Sequence, residues 1–250
     1  MGSKTLEGKT ALVTGGARNI GRAIALALAT DGANVIVNTL QDAAAAESVA
    51  AEVDALGAGS LVSICDVTDC KAVQDMVSAA KERFGGIDIF ISNASARGMI
   101  DFLDMSYEDW RRVIDISLDG AFHCSQAILP LMIEREWGRI VTLGGIAWHV
   151  GFKRRANNLA GKAGLSGFTR ALAAEFGGKG ITANVISPGA IETVRPASAG
   201  SVPQRDSLPP VPRKGTVDEV ASVARFLCQP EQAYINGQII HVNGGAYMGT

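Results

Sequence analysis

Along this 250-residue chain the spacing of apolar positions switches repeatedly between two periods, and that alternation predicts the architecture. Continuous apolar runs of strand length fall at residues 10–13, 34–37, 61–65, 87–92, 139–143, 182–186 and 238–242. Between them, apolar residues recur three and four apart, the spacing of one helix face, at 20–30, 42–56, 71–84, 107–134, 157–176 and 217–227. Strand–helix alternation of this kind predicts an α/β fold, a doubly wound parallel sheet of seven strands with three helices on each face. No repeat and no linker divides the chain, so residues 1–250 are expected to form one domain. A stretch rich in Pro, Ser and Gly, 196–212, interrupts the alternation before the last helix and strand. It reads as a lid over a site, spanning 190–215.

Composition narrows the partners. Apolar residues make up 47% and charged residues 19%, which suits a folded globular chain. A net charge of −2 offers no electrostatic case for nucleic acid or an anionic membrane. No apolar run reads as long enough to span a bilayer, and residues 1–10 lack the apolar core of a secretion signal. Cys65, Cys70, Cys124 and Cys228 show no metal-ligand spacing, and His123, His149 and His241 are dispersed. A reduced cytoplasmic protein without a metal is expected.

The first strand runs directly into Thr14-Gly15-Gly16-Ala17-Arg18-Asn19-Ile20-Gly21, which opens the first helix. In that position a glycine turn lets the backbone approach a pyrophosphate lying on the helix N-terminus. Asn19 tolerates the left-handed backbone such a turn needs, and its side chain is expected to crowd or hydrogen-bond the phosphate region. The second strand ends Val37-Asn38-Thr39, with no acid before Asp42. A carboxylate there would bind both ribose hydroxyls of NAD and repel a 2′-phosphate. Its absence favours NADP, with NAD as the alternative.

These features, taken with others in order along the chain, resemble the short-chain dehydrogenase/reductase family, in its 3-oxoacyl-carrier-protein-reductase-like branch. Cys65-Asp66-Val67 is similar to the segment whose Asp holds the adenine amine, and Ser92-Asn93-Ala94-Ser95 to the Asn-Ala turn after the fourth strand. Ser187-Pro188-Gly189 resembles the turn against the nicotinamide, with Ile191 and Thr193 beyond it at the carboxamide. Asn243-Gly244-Gly245 resembles the closing turn. Arg18 stands where NADP-binding members place a basic residue. The resemblance also implies a homodimer or homotetramer built on helices 107–134 and 157–176. Their apolar residues Phe122, Leu129, Leu165, Phe168 and Leu172 exceed what one buried stripe needs.

The resemblance further implies a Tyr acid, a Lys four residues on, an orienting Ser and a supporting Asn. Lys162 is retained, with an implied grip on the nicotinamide ribose. Asn158 stands at the Tyr position, Gly145 at the Ser position and Ser117 at the Asn position. An amide donates hydrogen bonds but releases no proton near neutral pH. His149, four residues after Gly145 with a suitable ordinary pKa, is either a substitute proton donor or a surface-loop residue without a role. Trp148 beside it is a pocket wall or a cap on the sheet edge, and His123 reads as part of a packed helix face. Tyr107, Tyr234 and Tyr247 match no catalytic position. Lys153-Arg154-Arg155, with Arg97, marks either an anionic substrate or a solvated basic loop. Three functions stay open: a divergent nicotinamide-dependent oxidoreductase on a small substrate, a non-redox enzyme, and a cofactor-binding protein without catalysis.

Overall fold

The computed structural model describes residues 4–96, 98–194 and 209–249, so Arg97 and most of the expected lid lie outside the described residues. Seven strands form one sheet: β1 (Thr10–Val13), β2 (Asn34–Thr39), β3 (Ser60–Ile64), β4 (Ile89–Ser92), β5 (Gly138–Leu143), β6 (Ile181–Pro188) and β7 (Ile239–Val242). Their order is β3-β2-β1-β4-β5-β6-β7, and every neighbouring pair is parallel. Parallel strands run apolar throughout because both faces are covered. Side chains alternate between faces, so Ala11, Val13, Val35, Val37, Ile89 and Ile91 enter one core, and Leu12, Ile36 and Phe90 the other.

The first core is closed by α1 (Asn19–Thr30), α2 (Ala43–Ala55) and α8 (Val217–Leu227). The second is closed by α3 (Cys70–Phe84), α5 (Gly120–Glu134) and α7 (Ala156–Phe176). Three helices therefore cover each face, as the pattern predicts. A short α4 (Tyr107–Ile114) leads into α5 through a π-helical turn, Asp115–Asp119. A four-residue α6 (Ala147–Val150), which no periodicity announces, sits between β5 and α7.

Helix starts divide into two kinds. Asp42, Asp69, Ser106 and Thr216 cap α2, α3, α4 and α8 with their side chains. The starts of α1 and α7 have no side-chain cap and no acid in the first turn. The first N–H groups of α1 are left for something else to satisfy.

The continuous helix Tyr107–Glu134 is long and apolar enough, by length and composition, to cross a membrane. Nearly half of that window is buried in the fold, where Cys124, Ile128 and Met132 face the sheet, so core packing accounts for its character. The apolar surplus assigned to subunit assembly is also smaller than its spacing suggests. Leu129, Leu165 and Leu172 are buried within this chain and Phe168 packs against its core, whereas Phe122 is exposed.

Buried charge away from the site is fully partnered. Asp88, 1% exposed, accepts from the Thr10 amide and from Arg135 Nη1, each at 2.9 Å. Arg139, also 1% exposed, donates to the carbonyls of Gly138, Gly180, Gln229 and Pro230. Burial lowers its pKa. Asp88→Ala strips Arg135 and a buried strand amide of their acceptor. It is expected to destabilise the fold by about 2–3 kcal/mol, read as a lower urea midpoint at unchanged slope.

Candidate active site

The strand order reverses beside β1, and the crevice above the C-terminal ends of β1 and β4 is where such sheets bind ligands. One side chain spans it. Asn93 Nδ2 donates to the carbonyls of Thr14 (2.9 Å) and Gly15 (3.0 Å), and Thr14 Oγ1 accepts from the amides of Asn93 and Ala94. The closeness excludes side chains from the turn. A Cβ on Gly21 would lie 2.2 Å from Gly15 O and 2.7 Å from Asn93 Nδ2. Gly15 and Asn19 take φ of +61° and +50°, so Asn19 adopts the left-handed backbone expected of it. Its side chain exchanges two hydrogen bonds with the backbone of Val194.

The other cofactor candidates divide. Ile20 lines the crevice, and Asp66 uses one oxygen to hold the amide and hydroxyl of Thr68, leaving an exposed carboxylate at the end of β3. Val67 is buried against Gly120, where a Cβ would meet it at 2.6 Å. Asn38 is 2% exposed, and its amide donates to Ser63 O and Cys65 O, so its side chain locks β2 to β3 rather than facing a ribose. Arg18 is largely exposed and pairs with Asp42, the α2 cap. That pair was not legible in the chain, because 24 residues separate its partners.

On the far side, a cavity of about 280 Å³ is lined by Asn93, Gly145, Asn158, Lys162, Pro188, Gly189, Ile191 and Thr193, among others. Distant parts of the sequence therefore converge as expected. A Cβ on Gly189 would lie 2.8 Å from Asn243 Cα, so the closing turn packs directly on the Pro188-Gly189 turn. Asn157, missed by sequence reasoning, anchors the start of α7. Its Nδ2 donates to Asp109 O and its Oδ1 accepts from the Asn158 amide. An Asn just inside an uncapped helix was the available signal.

Asn158 Nδ2 makes one long bond, 3.5 Å, to Ala96 O. Lys162 is 8% exposed and donates from Nζ to Leu143 O at 2.5 Å. A Cβ on Gly145 would meet only Pro188 O, at an ordinary 3.9 Å, but its φ of +152° strains any side chain placed there. Ser117 lies within the π-helical turn, 1% exposed, and its Oγ has no protein partner. A π turn widens the backbone locally and is common at functional sites.

His149 is not among the cavity-lining residues; Trp148 is. The His149 ring lies 3.6 Å from that of Trp148 and stacks on Tyr247 at 4.5 Å, with His241 edge-on at 4.9 Å. Burial, then the neighbouring His241 and Arg170, hold its pKa below the usual histidine range. The ring is one member of an aromatic stack outside the cavity lining. The run 153–155 also splits: Lys153 is exposed, Arg154 pairs with Asp101, and Arg155 lines the cavity. Lys214, just before α8, lines it too, and nothing in the sequence pattern marked it.

Observations on the chain fit a dinucleotide: an uncapped α1, a glycine cradle with no room for Cβ atoms, and a buried lysine facing the crevice. Comparison with known proteins gives the same direction. A family model described as enoyl-(acyl carrier protein) reductase matches residues 15–247. A 3-oxoacyl-[acyl-carrier-protein] reductase of Synechocystis sp. is 38% identical over 244 residues, covering 97% of this chain and 98% of the relative. The FabG reductase of Escherichia coli K12 matches with the same identity and coverage. A solved Sinorhizobium meliloti 1021 protein, assigned as a short-chain alcohol dehydrogenase, superposes with a TM-score of 0.90 at 33% identity, covering 98% of both chains. With that breadth of match and this sheet order, the chain belongs to the short-chain dehydrogenase/reductase family.

Proposed function

We propose that this protein is a nicotinamide-dependent oxidoreductase acting on a small organic substrate without an ionisable acid at the position of the family's Tyr. The observation that carries this reading is Lys162, nearly buried, on the same face of α7 as Asn158 and lining one cavity with Ile20 and with Asn93, the residue that spans the glycine turn. Gly15, Ile20, Gly21, Asn93, Ala94, Asp66, Val67, Pro188, Gly189, Ile191 and Thr193 would hold the nucleotide, which supplies or accepts the hydride. Lys162, an ammonium with three donors, would hold the nicotinamide ribose. The long Asn158 bond is easily exchanged for one to a substrate oxygen, which Asn158 polarises without protonating. The unpartnered Ser117 Oγ suits a water chain that brings the proton from solvent. A general acid is typically worth about 10²–10⁴-fold, so turnover of plain ketones and secondary alcohols is expected to be poor. The relatives are named for 3-oxoacyl reduction, and that chemistry is the part of the family's repertoire most exposed to the loss. A non-redox reading draws on the same missing acid. Titration with NADPH and NADH separates the two, since an enzyme that has abandoned hydride transfer has no use for the cradle.

NADP is the preferred nucleotide on this reading, because no carboxylate ends β2 and Arg18 borders the cradle. The exposed Arg18–Asp42 pair is weak enough to give way to a 2′-phosphate. Arg18→Ala is expected to weaken NADPH about tenfold or more and NADH by far less, measured by fluorescence titration. Equal losses would place the phosphate elsewhere or favour NAD.

Asn158→Tyr is expected to raise ketone reduction by at least about tenfold, through the restored acid beside Lys162. Adding Gly145→Ser brings an orienting hydroxyl but also backbone strain of about 1–3 kcal/mol, so its gain should be partly offset by a lower Tm. Unmodified protein that already reduces generic ketones briskly would contradict the mechanism.

A homodimer or homotetramer is part of this reading, with exposed Phe102 and Leu103 in the 3-10 turn before α4, Tyr107 on α4 and Phe122 on α5 as the surface to be covered. Sedimentation at micromolar concentration should show no more than a trace of monomer.

A further inference from the structure

Beyond β6, residues 189–194 carry the chain back across the sheet. β6 and β1 are separated by β5 and β4, yet Val194 is hydrogen-bonded to Asn19, the first residue of α1, which follows β1. On the way the segment is pinned at intervals. The Gly189 amide donates to Val242 O (2.9 Å), the Glu192 amide donates to Gly215 O (2.8 Å), and Ala190 O accepts from the Gly215 amide (2.9 Å). At the far end Asn19 Nδ2 donates to Val194 O at 3.0 Å, and Asn19 Oδ1 accepts from the Val194 amide at 2.9 Å. Gly189, Ala190, Ile191 and Thr193 line the cavity, and so does Ile20 on the other side of the Asn19 link. The segment is thus a strap that forms one wall of the crevice, and the Asn19 pair closes that wall against α1.

The residue at the closure suits the task. A planar amide offers a donor and an acceptor together, matching the C=O and N–H of a single backbone residue. Asn also tolerates the left-handed backbone that position 19 requires, φ +50°, where most side chains do not. Both bonds lie at the exposed rim and Val194 is 84% exposed, so water competes for them and the link opens and re-forms readily. The pins at Gly215 and Val242 do not depend on it. We propose that Asn19 is a latch that gates exchange of the dinucleotide, which passes in or out of the crevice only while the Val194 link is open. That the crevice takes a dinucleotide rests on the oxidoreductase reading; the latch itself rests on the two bonds and the strap they hold.

The test compares the purified full-length protein with Asn19→Gly, which allows the same backbone in the turn and removes both bonds. NADPH entry is followed by stopped-flow fluorescence, and exit by chasing the complex with excess NADP+. Both rates should rise by at least about fivefold in the variant, the low end for losing two hydrogen bonds, while affinity changes less than either rate. A smaller rise in either rate would overturn the latch. So would a loss of affinity at unchanged entry rate, the signature of an Asn19 side chain that holds phosphate. Hydrogen exchange at the Val194 amide in nucleotide-free protein gives a second reading. Although the residue is exposed, its amide should exchange at least about fivefold more slowly in the unmodified protein than in Asn19→Gly. Equal exchange would mean that no latch forms, and would overturn the proposal whatever the rates. Unmodified protein with a protected Val194 amide that binds no NADPH would sink the oxidoreductase reading and the gating role with it. Tight NADPH binding with unchanged rates would sink the latch alone.

Discussion

The contact on which the site depends is the pair of hydrogen bonds from the Asn93 amide to the carbonyls of Thr14 and Gly15. Those carbonyls end β1, and Asn93 follows β4, so the bonds fix the distance between two loops that must part to form a crevice. Everything near them is sized to that distance. Gly21 has no room for a methyl group, Gly15 takes a left-handed backbone, and the first turn of α1 is left open toward the crevice. Without Asn93, two backbone carbonyls would lose their donor and the loops would lose their register.

The buried charges of the scaffold are held by protein partners. Asp88, Arg139 and Asp31 are buried, and each meets them. Neutral polar groups are treated less uniformly: Ser117 Oγ and Trp148 Nε1 near the cavity are buried without a protein hydrogen bond, and so are Ser125 Oγ and Thr182 Oγ1 away from it. Leaving such groups unmade costs roughly 1–3 kcal/mol apiece unless water or ligand meets them. Charge is therefore where the scaffold is strict, and the neutral groups are where it is lenient.

Much of the fold was legible because parallel strands buried on both faces cannot be anything but apolar, and the helices between them bury one stripe each. The convergence of Asn93, Lys162, Pro188 and Thr193 on one cavity was legible only through the family resemblance, since no local pattern brings together residues so far apart. What escaped was set by side-chain partners distant in sequence. Arg18 finds Asp42, Asn38 turns into the sheet, Asn19 reaches Val194, and His149 joins His241 and Tyr247 in a stack. Apolar spacing on α5 and α7 likewise could not tell burial against the chain's own sheet from burial against a second subunit. Three of the five positions read as surplus prove to be core.

The backbone at Gly145 constrains the site. With φ at +152°, that peptide has settled into a shape open to glycine and strained for residues with a side chain. A side chain placed there would have to bend the chain away from that shape. Asn158 is different, since it lies in ordinary helix and can be exchanged with little strain. The two positions are thus unequal in what they admit: one accepts a new side chain as it stands, and the other asks the backbone to move as well.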